Sequence, residues 1–539
     1  MKKTDTILRS LVVLAVITGS SLSAHSAPPA ERVVSADLRA RKGPLNAMFK
    51  ACVGAGRANE GLRADWQRQL THVQKECGFT YVRMHGLLTD DMGVYREDKN
   101  GRPEYNWQYI DELYDFLQRI HMKPFVELGF CPNALASGDK TIFWWKGNIT
   151  KPKDARKWAD LIRALVAHFQ ERYGEDEVRT WYFEVWNEPN LKDGFFAGTQ
   201  QDYFDLYATT ARAVKSVSPA FRVGGPATAG CAWLPEFIGY CADNKVPLDF
   251  VSTHDYAVDV GHLDETGSAG TLFSHNPRAI YGNVVRMREQ ITASPMPNLE
   301  LHFTEWSASY TPSDPIHDSY HSAAFILDKL KNTGDAANSM SYWVFTDIFE
   351  EAGPRFTPFH GGFGLLNYQD VRKPAFFAYQ FLNRLGPTEL QTTDPASYVT
   401  LDGSGNVQVL LWDFTITNPS TENNQVFYKR DLPPAPKGRA RIQLKHLPPG
   451  RYTQTLYQVG YRVNDACAVY RDLGSPAQLS RAQVEQLRAA SSGQPIEQNT
   501  LTIRDGTFVR ELSMRENDVF LLVLSKQTRH ATSNRSTAP

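Results

Sequence analysis

The sequence predicts a (β/α)8 TIM barrel followed by an antiparallel β-sandwich, on three observations. Short apolar runs alternate with helical stretches up to about residue 385. Those runs are apolar almost throughout rather than at every second position, and beyond residue 385 they give way to short alternating strands punctuated by Gly, Pro and Asn. Continuously apolar strands separated by helices belong to a parallel sheet covered on both faces. Eight such units within roughly 320 residues suit a closed barrel with long loops. A doubly wound open sheet would carry a glycine-rich phosphate turn instead, and "GAGRANEG" supplies the first two glycines with the third misplaced.

Taken in order, residues 1–26 have the features of a secretory signal: Lys2, Lys3 and Arg9, then the apolar "LVVLAVITG", then "AHSA" as a cleavage site after Ser26. The apolar stretch is too short to span a membrane. Export to the periplasm or exterior of a bacterium is therefore expected, with no membrane association once the signal is removed. Residues 27–44 are expected to join the sandwich, and 45–385 to form the barrel. The eight barrel strands are read from "LNAMFKACVG", "TYVRMHG", "KPFVELGF", "WYFEVWNEPN", "FRVGGPA", "FVSTHDY", "LELHFTEW" and "SMSYWVFTD". Of the helices between them, Asp154 to Tyr173 is the clearest. Trp158, Leu161, Ile162, Leu165, Val166 and Phe169 fall on one stripe, and Gly174 ends it. Residues 386–526 form the sandwich, interrupted by the helical "SPAQLSRAQVEQLRAASSG". The polar tail 527–539 is expected to be disordered.

Composition excludes several classes. A formal net charge of −1 gives no electrostatic case for nucleic acid or an anionic membrane surface. Six cysteines without a CxxC in 539 residues are no disulfide scaffold; most are expected to be buried thiols, with a Cys231–Cys241 pair left open. No HExxH, EF-hand loop, GxSxG elbow or Walker A sequence occurs, and His317 with His321 reads as a helix start, so neither a metal nor a cofactor is implied.

Barrel chemistry sits at the carboxyl ends of the strands. There the second predicted strand presents Arg83 and His85, the fourth Asn187 and Glu188, the sixth His254 and Tyr256, the seventh Glu305 and Trp306. The eighth presents Trp343, followed by Glu350 and Glu351. Glu188 and Glu305, on the fourth and seventh strands, face each other across the mouth. Facing carboxylates in an aromatic pocket suit glycosidic bond cleavage, with retention at a separation of about 5–5.5 Å and inversion at about 6.5–9.5 Å. Glu188, among Trp186, Pro189 and apolar neighbours, is placed to stay protonated as the acid. Arg83, Tyr256 and His254 are candidates to hold Glu305 ionised. Asn187 is positioned to bond a sugar 2-hydroxyl. Glu184, of the same parity as Glu188, is either an internal ion-pair partner or a functional group.

"WNEPN" and "TEW", together with "VRMHGLLTDDMGVY", "NALASGDKTIFWWKGNIT", "FVSTHDY", "YWVFTDIFEE" and "GGFGLLN…VRKPAFFAYQFLNRLG", resemble glycoside hydrolase family 39, the β-xylosidase and α-L-iduronidase family, over about residues 45 to 390. The resemblance implies retention, with Glu188 as acid/base and Glu305 as nucleophile. It also implies a sugar subsite lined by His85, Phe143, Asn187, His254, Tyr256, Trp343, Glu350 and Glu351, and no metal. A uronate would need a cation at the site. The run after the sixth strand has Asp255 and Tyr256 where the iduronidase branch is basic, and Glu350 and Glu351 would repel a carboxylate. A small neutral oligosaccharide is the expected partner, releasing xylose from its non-reducing end. Arabinopyranose, a silent carbohydrate-binding protein on the same fold, and the oligomeric state stay open.

Overall fold

The computed structural model describes residues 31–261 and 270–527; the expected signal segment and the tail from 528 onward lie outside them. Eight parallel strands close into a barrel: Cys52–Arg57, Tyr81–His85, Lys123–Leu128, Tyr182–Val185, Arg222–Thr228, Phe250–Tyr256, Glu300–Ser307 and Ser339–Tyr342. Closure is made by Tyr342 pairing with Val53. The first strand begins later than its apolar run suggests, because Met48–Lys50 forms a 3-10 turn whose Met48 and Phe49 are buried in the core. An apolar run reports burial, and here part of it is buried without being extended. Gly54 and Gly56 of "GAGRANEG" lie in this strand and Gly61 in the 3-10 helix Ala58–Leu62 that follows. A Cβ on Gly54 would meet Trp343 at 2.5 Å and one on Gly56 would meet Glu60 at 2.3 Å, so they make room for side chains of the mouth.

The helices shield the barrel from outside. Ala155–Tyr173 starts at Asp154, whose carboxylate accepts the amides of Arg156 and Lys157 at 2.9 and 3.2 Å. It buries Trp158, Leu161, Ile162, Leu165, Val166 and Phe169. Gln108–Arg119 and Gln200–Val217 flank it, the second opened by a capping box of Thr199 and Asp202. Among the described residues, no helix is long and apolar enough to cross a membrane. All six cysteines are free and buried, so Cys231 and Cys241 are not bridged.

The second layer is a nine-stranded sheet ordered Glu497–Ile503, Gly450–Val459, Val519–Lys526, Val407–Trp412, Ser397–Leu401, Thr388–Thr392, Arg32–Pro44, Pro436–Lys445 and Phe508–Arg515. All nine strands send residues into one core, including Val34, Leu390, Val399, Val409, Ile442, Leu456, Ile503, Leu512 and Leu522, so the sheet folds over into a sandwich. Its pairings are antiparallel with one exception: Arg32–Pro44 runs parallel to Pro436–Lys445. Alternate residues of Val407–Trp412 face opposite ways. Val407, Val409 and Leu411 enter the sandwich core, while Leu410 and Trp412 join the barrel's core with Phe325 of helix His321–Thr333. The helical insertion is Arg481–Ala490, capped by Ser480 and Gln483.

Candidate active site

The barrel interior is stratified. Cys52, Phe125, Tyr182 and Phe250 form an apolar plug at the bottom. Above it lies a charged layer where such barrels ordinarily pack branched apolar side chains. Its centre is Arg83, fully buried, whose Nε donates to Glu184 at 2.5 Å, Nη2 to Asn187 at 2.9 Å and Nη1 to Glu305 at 2.7 Å. Nη2 also lies 2.9 Å from Glu127. Glu184 is thus an internal ion-pair partner. One guanidinium cannot neutralise three carboxylates held out of water. Burial accordingly raises Glu127 to about 8 in spite of Arg83, with the nearby Glu184 charge adding to the effect.

The next layer is the mouth. The block Trp186–Asn190 holds Glu188 in place through the backbone. Trp186 and Glu188 take φ of 69° and 43°, conformations that side chains resist and that are kept where surroundings impose them. The Trp186 indole donates to the Phe195 carbonyl at 2.8 Å, the Glu188 amide to Ala227 at 2.8 Å, and Asn190 exchanges two bonds with Ala229 at 3.0 and 2.8 Å. Glu188 is thereby tied to the end of the fifth barrel strand.

Glu188 and Glu305 are brought together. One side-chain atom each from Glu188, His254 and Glu305 falls within 4.8 Å of the other two. Their side chains are 9% and 6% exposed, closed to bulk water except at the mouth. Burial raises both acids, and Glu188 further. The Glu305 charge pushes Glu188 up, whereas Arg83 and the Tyr256 hydroxyl, donating at 2.7 Å, restrain Glu305. The proton of the pair therefore resides on Glu188. Among the described residues, these three groups are also the cluster that could hold a metal ion. Their ligand atoms are already engaged by one another and by Arg83, Tyr256 and Thr304, an arrangement suited to moving protons.

His254 departs from expectation. It was expected both to line the sugar subsite and to support Glu305, but both its ring nitrogens are occupied within the protein. Nδ1 lies 2.9 Å from Glu188 Oε1 and Nε2 lies 3.1 Å from Thr304 Oγ1, with Glu305 more distant at 3.6 Å. Burial and the Arg83 charge depress its basicity well below the ordinary range, so the ring is neutral. Tyr256, expected as a sugar contact, is likewise committed to Glu305 through its hydroxyl.

Around the pair, Asn187 offers its NH2, its oxygen being taken by Arg83. His85 lies 2.7 Å from Glu127 through Nδ1 and turns Nε2 toward Glu305 at 3.5 Å and Glu351 at 3.7 Å. Burial lowers it to about 3. Trp343 packs against His85 at 4.7 Å between ring centres, and Phe143 stacks on it at 6.0 Å. Of the neighbouring tryptophans, Trp145 packs behind Phe143 and Phe130, and Trp144 is 56% exposed. Glu351 is raised well above the carboxylate range by burial, then by Glu305 and Glu60. Glu350 differs from its neighbour: it takes Arg57 and Arg63, both at 2.8 Å, and so serves as a loop anchor rather than a free sugar ligand. Asp255 points away from the mouth and accepts from Asn283 at 2.8 Å.

Several residues escaped the sequence reading. Glu127 carried a signal, a carboxylate inside a buried strand with the parity of Phe125. Arg57 was hidden by the displaced first strand. Thr304 carried none, since strand alternation puts it opposite Glu305. A bulge undoes that alternation: Thr253 pairs with Phe303 and His254 with Glu305, leaving Thr304 as the extra residue, so both side chains enter the barrel.

The sequence model of a family described as glycosyl hydrolases family 39 matches residues 33–506. The β-xylosidase of Geobacillus stearothermophilus is 40% identical over 491 residues, 90% of this chain and 94% of the relative. The solved structure of a monomeric β-xylosidase from Caulobacter crescentus CB15 shares 44% identity at a TM-score of 0.89, covering 92% of this chain and 100% of that one. That of the GH39 enzyme from Xanthomonas axonopodis pv. citri shares 44% at 0.90, covering 94% and 100%.

Proposed function

The chain belongs to glycosyl hydrolase family 39, and from that premise we propose that it is a retaining, exo-acting β-D-xylosidase releasing xylose from the non-reducing ends of xylo-oligosaccharides. The observation that carries the reading is the pair of facing carboxylates within 4.8 Å, close enough for one to attack the anomeric carbon while the other reaches the leaving oxygen. Glu305, held by Arg83 and Tyr256, attacks C1; Glu188 gives its proton to the departing oxygen as that bond breaks. A glycosyl ester on Glu305 results. Glu188, now a carboxylate, removes a proton from water; the water oxygen attacks C1 as the ester bond from C1 to Glu305 breaks, which returns the Glu305 carboxylate and protonated Glu188 and frees xylose with its configuration kept.

Charge bears on the choice of sugar. Arg57 and Arg63, beside the mouth, are both paired with Glu350, and a uronate would face Glu351, next to which Arg355 is a cation without an ion pair among the described residues. Neutral hydroxyls have Asn187, His85 and Glu351 as partners and Trp343 as an apolar wall. The identities with β-xylosidases support xylose among neutral pentoses. Residues 1–26 support export to the periplasm or beyond, which sequencing the amino terminus of the mature protein would test.

The decisive experiment is trapping with a 2-fluoroxylosyl fluoride. Stoichiometric mass labelling located to Glu305 is expected; labelling elsewhere, or none with activity present, would overturn the assignment. Initial rates on nitrophenyl xyloside, arabinopyranoside, galactoside and uronide should fall in that order, and a leading rate on the uronide would reverse the choice of sugar.

A further inference from the structure

The hydrogen bonds behind Glu188 form a chain with a fixed direction. Thr304 Oγ1 has one hydrogen, and Glu184 Oε1 accepts it at 2.8 Å; Glu184 is itself the carboxylate bound to Arg83 and has lone pairs to offer. With that hydrogen committed, Thr304 Oγ1 can only accept from His254 Nε2, 3.1 Å away. A neutral imidazole carries one N–H, so Nε2–H leaves Nδ1 with a lone pair. Nδ1 lies 2.9 Å from Glu188 Oε1, and that contact is a hydrogen bond when Glu188 supplies the proton.

We propose that Thr304, brought into the barrel by the strand bulge, is a positioning residue that fixes His254 in its Nε2–H form and so keeps the acid proton on Glu188. The inference rests on Glu188 being the acid/base, and it extends to both chemical steps. In the resting enzyme His254 Nδ1 accepts the Glu188 proton. Once that proton has gone to the leaving oxygen, the Nδ1 lone pair faces a carboxylate lone pair. The repulsion makes Glu188 a stronger base toward the incoming water, and the proton taken from water restores the bond. The ring is not consumed and no further co-reactant is needed. Without the Thr304 hydroxyl, His254 is free to adopt the Nδ1–H form, which stabilises ionised Glu188, so that the resting enzyme loses the acid proton at lower pH and the carboxylate is a weaker base toward water.

The other charged groups around the chain do not supply this direction. Arg83, Glu127 and Glu305 face Glu188 from the second, third and seventh strands, and Arg83 and His85 face His254. None of them touches His254 Nε2, where Thr304 is the hydrogen-bond partner.

The test compares Thr304→Val, which keeps the shape and removes the hydroxyl, with Thr304→Ser, which restores it. The readout is the alkaline limb of kcat/KM on a xyloside with an unactivated alcohol as leaving group. In T304V the limb should move down by about one pH unit, the scale of a single hydrogen bond to a carboxylate, while T304S keeps the wild-type limb. A limb unmoved in T304V would overturn the proposal even if the variant melts lower. A measurement on the unaltered enzyme stands beside it: nitrogen-15 NMR of histidine, with the His254 signal identified by its loss in H254Q, should show Nε2 protonated and Nδ1 bare. Finding Nδ1 protonated in the resting enzyme would also overturn it. This tautomer is read without turnover. Failure of the relay is therefore distinguishable from failure of the acid assignment, which the leaving-group dependence of Glu188→Ala decides separately.

Discussion

At the scale of single residues, the site works by making two chemically identical acids unequal. Burial acts on both; what differs is the company each keeps. Arg83 and Tyr256 donate to Glu305, and a neutral imidazole accepts from Glu188. Glu305→Ala should therefore lose ~10³-fold or more in turnover while still binding xylose, since the atom that forms the covalent bond is gone; a calorimetric titration alongside the rate measurement checks both halves. Glu188→Ala should lose about 10²–10⁴-fold on xylobiose and far less in the glycosylation step of a dinitrophenyl xyloside, whose leaving group needs no proton. Equal losses on both substrates would refute the acid role. The two carboxylates and most of their neighbours were legible because "WNEPN" and "TEW" break buried strands with groups that such strands avoid. Thr304 was not, because its direction depends on a bulge that leaves no mark in composition.

The elements explain why these side chains hold their positions. The eight strands could be found from sequence because their apolar runs are continuous, and helix Ala155–Tyr173 because its stripe and its cap coincide. Register was harder to see, as the displaced start of Cys52–Arg57 shows. That strand's end matters to the mouth. Arg57 reaches Asp91 at 2.5 Å and Glu350 at 2.8 Å and lies over Trp145, joining the loops after the second, eighth and third strands. Arg57→Ala leaves Glu350 with a single cation beside buried Glu60. It should cost about 3 kcal/mol of stability, the scale of breaking a buried ion pair, and raise KM more than it lowers kcat; chemical denaturation with parallel kinetics measures both. Asp154→Ala should cost about 1 kcal/mol through the lost helix cap and leave kinetics as they are, which separates stability from the site.

Over the whole molecule, the charged layer inside the barrel makes stability depend on pH. Burial raises Glu127 from 4.5 to about 8, so the folded chain keeps a proton that the unfolded chain has lost above 4.5. Stability contributed this way is complete at low pH and is lost as pH rises through that window. Buried histidines oppose it below 6.5, because His85 and His321, each lowered to about 3, stay neutral in the fold while the unfolded chain takes up protons. Between pH 6.5 and 8 the carboxylates act unopposed. The unfolding free energy should fall across this interval by about 1.4 kcal/mol per pH unit for each proton retained, lowering the melting temperature, and Glu127→Gln should flatten the dependence; calorimetry on both proteins checks this. The sandwich was legible as a class from its alternating strands and turns, but its one parallel pairing was not, since pairing direction is decided between segments far apart in the chain. Arg32–Pro44 is an interior strand of the sheet, between Thr388–Thr392 and Pro436–Lys445. This strand is made before the barrel and both of its neighbours after it, so a nascent chain carries it unpaired while the barrel is synthesised. That seam joins polypeptide from before the barrel to polypeptide from after it, and a product cut short just past the barrel would be left with a sticky, half-built sheet beside it.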